Sequence, residues 1–215
     1  MHLIDLSHEI HDGLVTYPGL AAPSIRPDMS FEDSRSHYAD GYEFQIDRIE
    51  MVANTGTYLD TPAHRIRGGW DLASLDLAKV AGLEIVVIDS AEKAISPDAV
   101  AGRDVAGKAV LFRTGWSRHW GNPAYGEGHP HLAADTAQTL IDGGVALAGI
   151  DSLNVDGTAD GTRPIHTLLL ENDIPILEHL TNLEALPATG ATLYAVPPKV
   201  RGMGSFPVRA FAVVG

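Results

Sequence analysis

The chain has 215 residues, 45% of them hydrophobic, which is enough to bury one sizeable core and favours one domain over residues 1–215. Fifteen Lys and Arg against 28 Asp and Glu leave a formal charge of −13, which repels nucleic acid and anionic membranes and points to a small-molecule or protein partner. With no cysteine, disulfides, a thiol nucleophile and thiolate metal sites are excluded, so a metal would have to be held by His, Asp or Glu.

The opening MHLIDLSHEIHDG carries acids within its first apolar run and does not read as a signal peptide. No run approaches the roughly 18 apolar residues that cross a bilayer, and a cytoplasmic protein is the expectation. In chain order, strand-type runs fall at residues 3–7, 44–53, 84–89, 108–114, 145–151, 192–197 and 206–214. The stretch between the first two, residues 11–43, has little periodicity but carries Tyr17, Pro18 and Gly19; it reads as long ordered loops of the kind that often serve function. Residues 132–144 space apolar side chains as a helix does and end on a glycine pair. A second helical stretch covers 166–172, followed by the short apolar run IPILE at 174–178 and by LTNLEAL at 180–186. Helices alternating with a larger number of strands predict an α/β fold with a mixed sheet.

Chemistry concentrates in three places. Residues 54–64 read NTGTYLDTPAH: the glycine permits a sharp change of direction and Pro62 forbids a regular helix, so Asp60 and His64 are expected on irregular backbone at a strand end. Taken alone, an Asp that caps a turn and a surface histidine would be the commoner explanation. In PIHTLLLENDIPILEHLTNL, residues 164–183, His166 opens a helix and Glu178 closes an apolar run. A buried Glu there needs a cation or donor, although a carboxylate also suits the first turn of a following helix. After another buried strand, GIDSLNVDG at 149–157 offers Asp151, Asn154 and Asp156, either turn formers or carboxylates that orient a metal ligand from behind.

The ordered series DLSHEI, YPG, TGTYLDTPAH, GG, RTGW, GIDSLNVD, His166 with Glu178, LTNL and FPVRAFAV resembles the cyclase family that includes bacterial kynurenine formamidase and isatin hydrolase, over nearly the whole chain. The resemblance implies a swivelling β/β/α fold, a homodimer or homotetramer, and a signature HxGTHxDxPxH. In that signature two His and the Asp ligate one metal, the Asp with a later His and Glu can hold a second, and the last His is acid and base. Here the first two His are replaced by Asn54 and Tyr58, while Asp60, His64, His166 and Glu178 match.

The resemblance therefore implies one divalent metal, Zn or Mn, on Asp60, His166 and Glu178, and a hydrolase of a small amide, formamide, lactam or ester that uses metal-activated water. His64 is the implied general acid and base, and Tyr58 the donor to a developing oxyanion. Asn54, Tyr17 and Trp116 are the expected substrate contacts. Two rivals remain from sequence: a metal-free lyase, cyclase or isomerase using Tyr58 and His64, and an inactive binding paralogue.

Overall fold

The computed structural model describes residues 1–215. In chain order its strands and helices are β1 (His2–Asp5), β2 (Ser24–Met29), α1 (Phe31–Ser34), β3 (Ile46–Glu50), β4 (Tyr58–Asp60), β5 (Ala81–Asp89), β6 (Ala94–Ile95), β7 (Ala109–Arg113), β8 (His131–Leu132), α2 (Ala134–Asp142), β9 (Leu147–Ile150), α3 (Pro164–Glu171), β10 (Ile176–Glu178), β11 (Ala191–Tyr194), β12 (Ser205–Pro207) and β13 (Phe211–Val214). Nine of the strands form one mixed, curled sheet in the order β1-β13-β11-β5-β7-β9-β10-β4-β12. The central run β5-β7-β9-β10 is parallel, and the pairings outside it are antiparallel.

The parallel strands are apolar along their buried middles because both of their faces are covered there. With a side-chain period of two, Val86, Ile88, Val110, Phe112, Ala148, Ile150 and Ile176 face α2 and α3, meeting Ala137, Leu140, Ile165, Leu169 and Leu170. Ile85, Val87, Leu111, Leu147, Leu177 and Leu59 face the other way, where the curled sheet ends bring in Ile4, Leu6, Leu193, Ala210 and Ala212. α2 stops at the glycine pair as expected, with Gly144 at φ 70°. No helix is long and apolar enough to cross a membrane.

The structure corrects three expectations about elements. The loop 11–43 contains β2, which pairs with β3 as a separate two-stranded arm, Ile25 opposite Ile49. The run 206–214 is two strands rather than one, because the chain leaves the sheet between Pro207 and Phe211. Asp60 is not on irregular backbone: it ends β4, a strand of three fully buried positions clamped between β10 and β12.

That last pairing sets the site. β12 passes so close to the turn after β4 that a Cβ on Gly204 would sit 2.6 Å from both the Ala63 carbonyl carbon and the His64 Cα. Only glycine fits without moving the His64 backbone. Gly204→Ala is therefore expected to cost about 1–3 kcal/mol through overpacking, read as a lowered midpoint in chemical unfolding; unchanged stability would mean that the two segments separate freely.

Candidate active site

The register of β4, β10 and β12 aligns the polar groups on one face of the sheet. Glu178 pairs with Tyr58, Ile176 with Asp60, and Ser205 with Asp60, so residues 58, 60, 178 and 205 share the face covered by α3, while Leu59 and Leu177 go to the opposite core. α3 starts from Arg163 in the left-handed region, φ 55°, with Pro164 in its first turn, a position that suits proline because no amide donor is needed there. The Asp156 carboxylate accepts hydrogen bonds from the Ile165 and His166 amides, 2.8 and 3.0 Å, and from His166 Nδ1 at 2.7 Å. One side chain thus caps the helix and turns the imidazole, leaving Nε2 directed at the sheet.

His166 Nε2 lies 3.6 Å from Asp60 Oδ2 and 3.6 Å from Glu178 Oε1. All three side chains are buried, and Asp60 Oδ2 has no hydrogen-bond partner. An unpartnered carboxylate oxygen in a buried site is costly, and here it faces a nitrogen that stands equally near a second carboxylate. The donor set fits a single divalent cation of Zn or Mn type, with Asp156 as the carboxylate that fixes the histidine ligand. Asp60, His64 and His166 offer ligand atoms that all lie within 4.8 Å of one another. Glu178 Oε1, 3.6 Å from His166 Nε2, is the other candidate third ligand; it accepts from the Val155 amide at 2.7 Å, while His64 Nδ1 faces Ser205 Oγ at 2.9 Å.

The electrostatics carry the same message. Burial works to lower His166, yet the charges of Glu178, Asp156 and Asp60 outweigh it and raise the imidazole to about 10. Burial, opposed by His166 and reinforced by Asp60, pushes Glu178 up to about 7. Burial also works to raise Asp60, but His166, His64 and Ser205 hold it below its ordinary value. Three buried carboxylates around one imidazole are short of positive charge.

Asn54 and Tyr58 hydrogen-bond to the two carboxylates. Asn54 Nδ2 donates to Asp60 Oδ1 at 3.4 Å, and the Tyr58 hydroxyl donates to Glu178 Oε2 at 2.6 Å. Each occupies the carboxylate oxygen other than the one nearest His166 Nε2. The expected donation from Tyr58 to an oxyanion does not match this arrangement, since its one proton goes to Glu178. Burial first, then the nearby Glu178 and Asp60 charges, raise its phenol well above the ordinary value and keep it a donor.

His64 ends a short turn, Pro62–His64, and reaches the edge of the site. Ser205, which the sequence reading missed, donates its hydroxyl to Asp60 Oδ1 and faces His64 Nδ1. Because an ionised carboxylate only accepts, the serine proton belongs to Asp60, and its oxygen accepts from Nδ1–H. The neutral tautomer then carries its free lone pair on Nε2.

A cavity of about 490 Å³ opens over this cluster, lined by Tyr17, Leu20, Asn54, Tyr58, His64 and His166 together with Arg65, Asn154 and Arg163. Trp116, expected at this pocket, lies elsewhere: its indole N–H donates to the Tyr125 carbonyl at 3.0 Å and its ring packs on His119. Asp151 holds the turn after β7 through Thr114 and Gly115 rather than the histidine ligand.

Residues 4–157 match the model of the family described as "Putative cyclase". The chain belongs to this cyclase family. Curated relatives include kynurenine formamidase from Bacillus cereus, 28% identical over 208 residues that cover 96% of this chain and 95% of the relative. The kynurenine formamidase of Salinibacter ruber is 27% identical over 212 residues, covering 98% and 96%. Among solved structures, isatin hydrolase A from Labrenzia aggregata superposes with a TM-score of 0.84 at 24% identity, over 99% of this chain and 93% of that one. A potential metal-dependent hydrolase with cyclase activity gives 0.80 at 24% identity, covering 98% and 96%. These likenesses agree with the curled mixed sheet and with the cyclase-like fold expected from the sequence.

Proposed function

We propose that this cyclase-family chain is a metal-dependent hydrolase of a small amide, formamide, lactam or ester. The observation that carries the reading is the unpartnered Asp60 Oδ2 beside His166 Nε2, which Glu178 Oε1 approaches equally closely. The similarity to kynurenine formamidases and isatin hydrolases supports the reaction class. Asp60, His166 and Glu178 would hold one Zn or Mn ion. Such an ion supplies Lewis acidity and brings water within reach of deprotonation near neutral pH.

The remaining work falls to side chains of this chain. His64, with Nδ1 tied to Ser205, accepts the proton of the attacking water on Nε2 and returns it to the leaving nitrogen or oxygen. Ser205 and Asp60 keep the imidazole in that tautomer. Tyr58 and Asn54 hold the two metal carboxylates in orientation, and Tyr17 and Asn54 contact the substrate. The metal-free alternative would need the Tyr58 proton, which is committed to a hydrogen bond with Glu178.

The sheet takes strands from His2 through Val214, which supports reading 1–215 as one domain. Ile25 and Ile49, opposite each other on the β2–β3 arm, are 39% and 50% exposed, an exposed apolar pair that supports a homodimer or homotetramer. A cytoplasmic setting completes the proposal, in keeping with a chain that uses no cysteine.

Elemental mass spectrometry on untagged protein, followed by turnover of small amides, lactams and esters, tests the reading. About one Zn or Mn per chain is expected from a single three-ligand site. Restoring both histidines, Asn54→His with Tyr58→His, is expected to raise the content toward two. A wild-type chain that binds no metal after soaking in Zn²⁺ and Mn²⁺ would overturn the proposal.

A further inference from the structure

Two pairs of histidine rings stand with their centres 5.9 Å apart. One is His64 and His166 in the site above; the other is His129 and His131, which the proposed hydrolysis does not use. The second pair belongs to the segment Gly128-His129-Pro130-His131-Leu132, whose backbone is held from both sides. The His131 amide donates to the Lys93 carbonyl at 2.9 Å, next to β6, and the Leu132 amide donates to the Val155 carbonyl at 2.8 Å. Ser152 Oγ donates to the Pro130 carbonyl at 2.6 Å. The chain beneath the two rings is therefore fixed.

Hydrogen bonds fix the tautomers as well. A carbonyl oxygen only accepts, so the 3.0 Å contact of His129 Nε2 with the Asp156 carbonyl places that ring's proton on Nε2. By the same argument the 3.2 Å contact of His131 Nδ1 with the His129 carbonyl places a proton on Nδ1. Each neutral ring then keeps one lone pair, on His129 Nδ1 and on His131 Nε2. His129 is buried, and burial is the largest influence holding its imidazole below the ordinary value. It stays neutral near pH 7.

A ring that gives its other N–H to a backbone carbonyl is the usual form of a metal-ligating histidine. Two imidazoles on one ion, with metal–nitrogen bonds of about 2.0–2.1 Å, bring their ring centres to roughly 5–6.5 Å. The observed separation falls inside that range. The rings share a small cavity of about 130 Å³ with Lys93, Gly157 and Thr158, room for an ion and a few waters at about 30 Å³ each. A Cβ at Gly157 would lie 3.0 Å from His131 Nε2, so the glycine keeps the free nitrogen uncrowded. Lone pairs repel an anion, and donors that are all imidazole nitrogen favour late first-row ions, Cu²⁺ above Ni²⁺ and Zn²⁺. Lys93 opposes any cation, but it is exposed and its repulsion acts through water, where it is small.

We propose that His129 and His131 form a second metal site, selective for Cu²⁺, with water completing the coordination. The site shares no residue with Asp60, His166 and Glu178, and it does not depend on the hydrolase reading. Two ligands hold an ion less tightly than three. The pair therefore fills when Cu²⁺ is added and contributes no Zn or Mn to protein purified without added metal.

Titration with Cu²⁺ followed by electron paramagnetic resonance tests this, on the full chain with its Asp60 site filled by Zn²⁺ beforehand. All samples carry His2→Gln, which removes the histidine beside the terminal amine, a competing copper chelate. Bound Cu²⁺ with two coordinated imidazoles is expected. His129→Gln and His131→Gln are each expected to leave one coordinated imidazole and to weaken Cu²⁺ by more than the roughly tenfold that losing even an outer partner costs. His131 is only half-buried, so its variant spares the fold if His129→Gln does not. Asp60→Asn is expected to change neither the signal nor the affinity. Lys93→Ala should tighten Cu²⁺ roughly twofold to tenfold by removing a nearby unit charge.

Fewer than two coordinated imidazoles in the chain that retains both histidines would refute the chelate before any variant of the pair is made. A two-imidazole signal that survives both Gln substitutions, or one that vanishes with Asp60→Asn, would place the copper elsewhere and refute it too. Inorganic phosphate is the opposite probe. Phosphate binding that Lys93→Ala weakens, with Cu²⁺ binding that it leaves no tighter, would make this an anion pocket and overturn the assignment.

Discussion

His64→Ala is expected to lower turnover by roughly 10²–10⁴-fold, the range for a lost general acid-base group, while the protein keeps about as much metal as the wild type. The first half follows from position. His64 lines the cavity beside His166, its ring centroid 5.9 Å away, and Ser205 holds its Nδ1 so that Nε2 is the nitrogen that can exchange a proton. The second half separates two assignments that geometry alone brings close together. His64 Nδ1 is 3.6 Å from Asp60 Oδ1, and one could count it as a ligand. The nitrogen is already bonded to Ser205, however, and Glu178 Oε1 stands at the same 3.6 Å from His166 Nε2 as Asp60 does. Steady-state kinetics on the substrate found by screening gives the first number, and elemental analysis of the same preparation gives the second. Loss of metal in His64→Ala would make the histidine a ligand and leave the proton transfer without its agent. Full activity would remove it from the mechanism.

The elements that sequence made plain are those whose burial leaves a periodic signature. The runs at 84–89, 108–114 and 145–151 became β5, β7 and β9 because parallel strands covered on both faces need a continuous apolar middle. The helix before Gly143 and Gly144 was legible from its spacing and its stop. β4 was not. It is three residues long, two of them are polar site residues, and Pro62 follows at once, so its local composition says turn; only pairing with β10 and β12, more than a hundred residues away, makes it a strand. Ser205 was hidden for the same reason, since nothing in Gly204-Ser205-Phe206 points to Asp60 or His64 except the register of β12. Asp156 was one of three equivalent Asx residues until α3 was built upon it. Trp116 failed as a pocket residue because an aromatic after a strand can turn to either side, and here a backbone carbonyl takes its N–H. The resemblance supplied the order of the motifs. It could not say that Asn54 and Tyr58 would turn their protons onto Asp60 and Glu178.

Asp60→Asn is expected to abolish stable metal binding, whereas Asp156→Asn is expected to weaken it by about 10–100-fold, the usual cost of losing a partner behind a ligand. The two carboxylates are both fully buried, so burial does not distinguish them. Their bonds do. Asp156 gives its oxygens to the Ile165 and His166 amides and to His166 Nδ1; its loss loosens the imidazole but removes no ligand atom. Asp60 gives Oδ1 to Ser205 and Asn54 and keeps Oδ2 without any partner. An amide in its place presents a weaker neutral oxygen or a nitrogen that repels a cation. Thermal unfolding with and without added Zn²⁺ or Mn²⁺ reads the difference. At free metal about 100 times the dissociation constant, the wild type gains roughly 2.7 kcal/mol of stability by mass action. Asp156→Asn should recover that gain at higher metal concentration, and Asp60→Asn should show none. An Asp60→Asn protein that is stabilised by metal like the wild type would place the cation away from the point where Asp60, His166 and Glu178 meet.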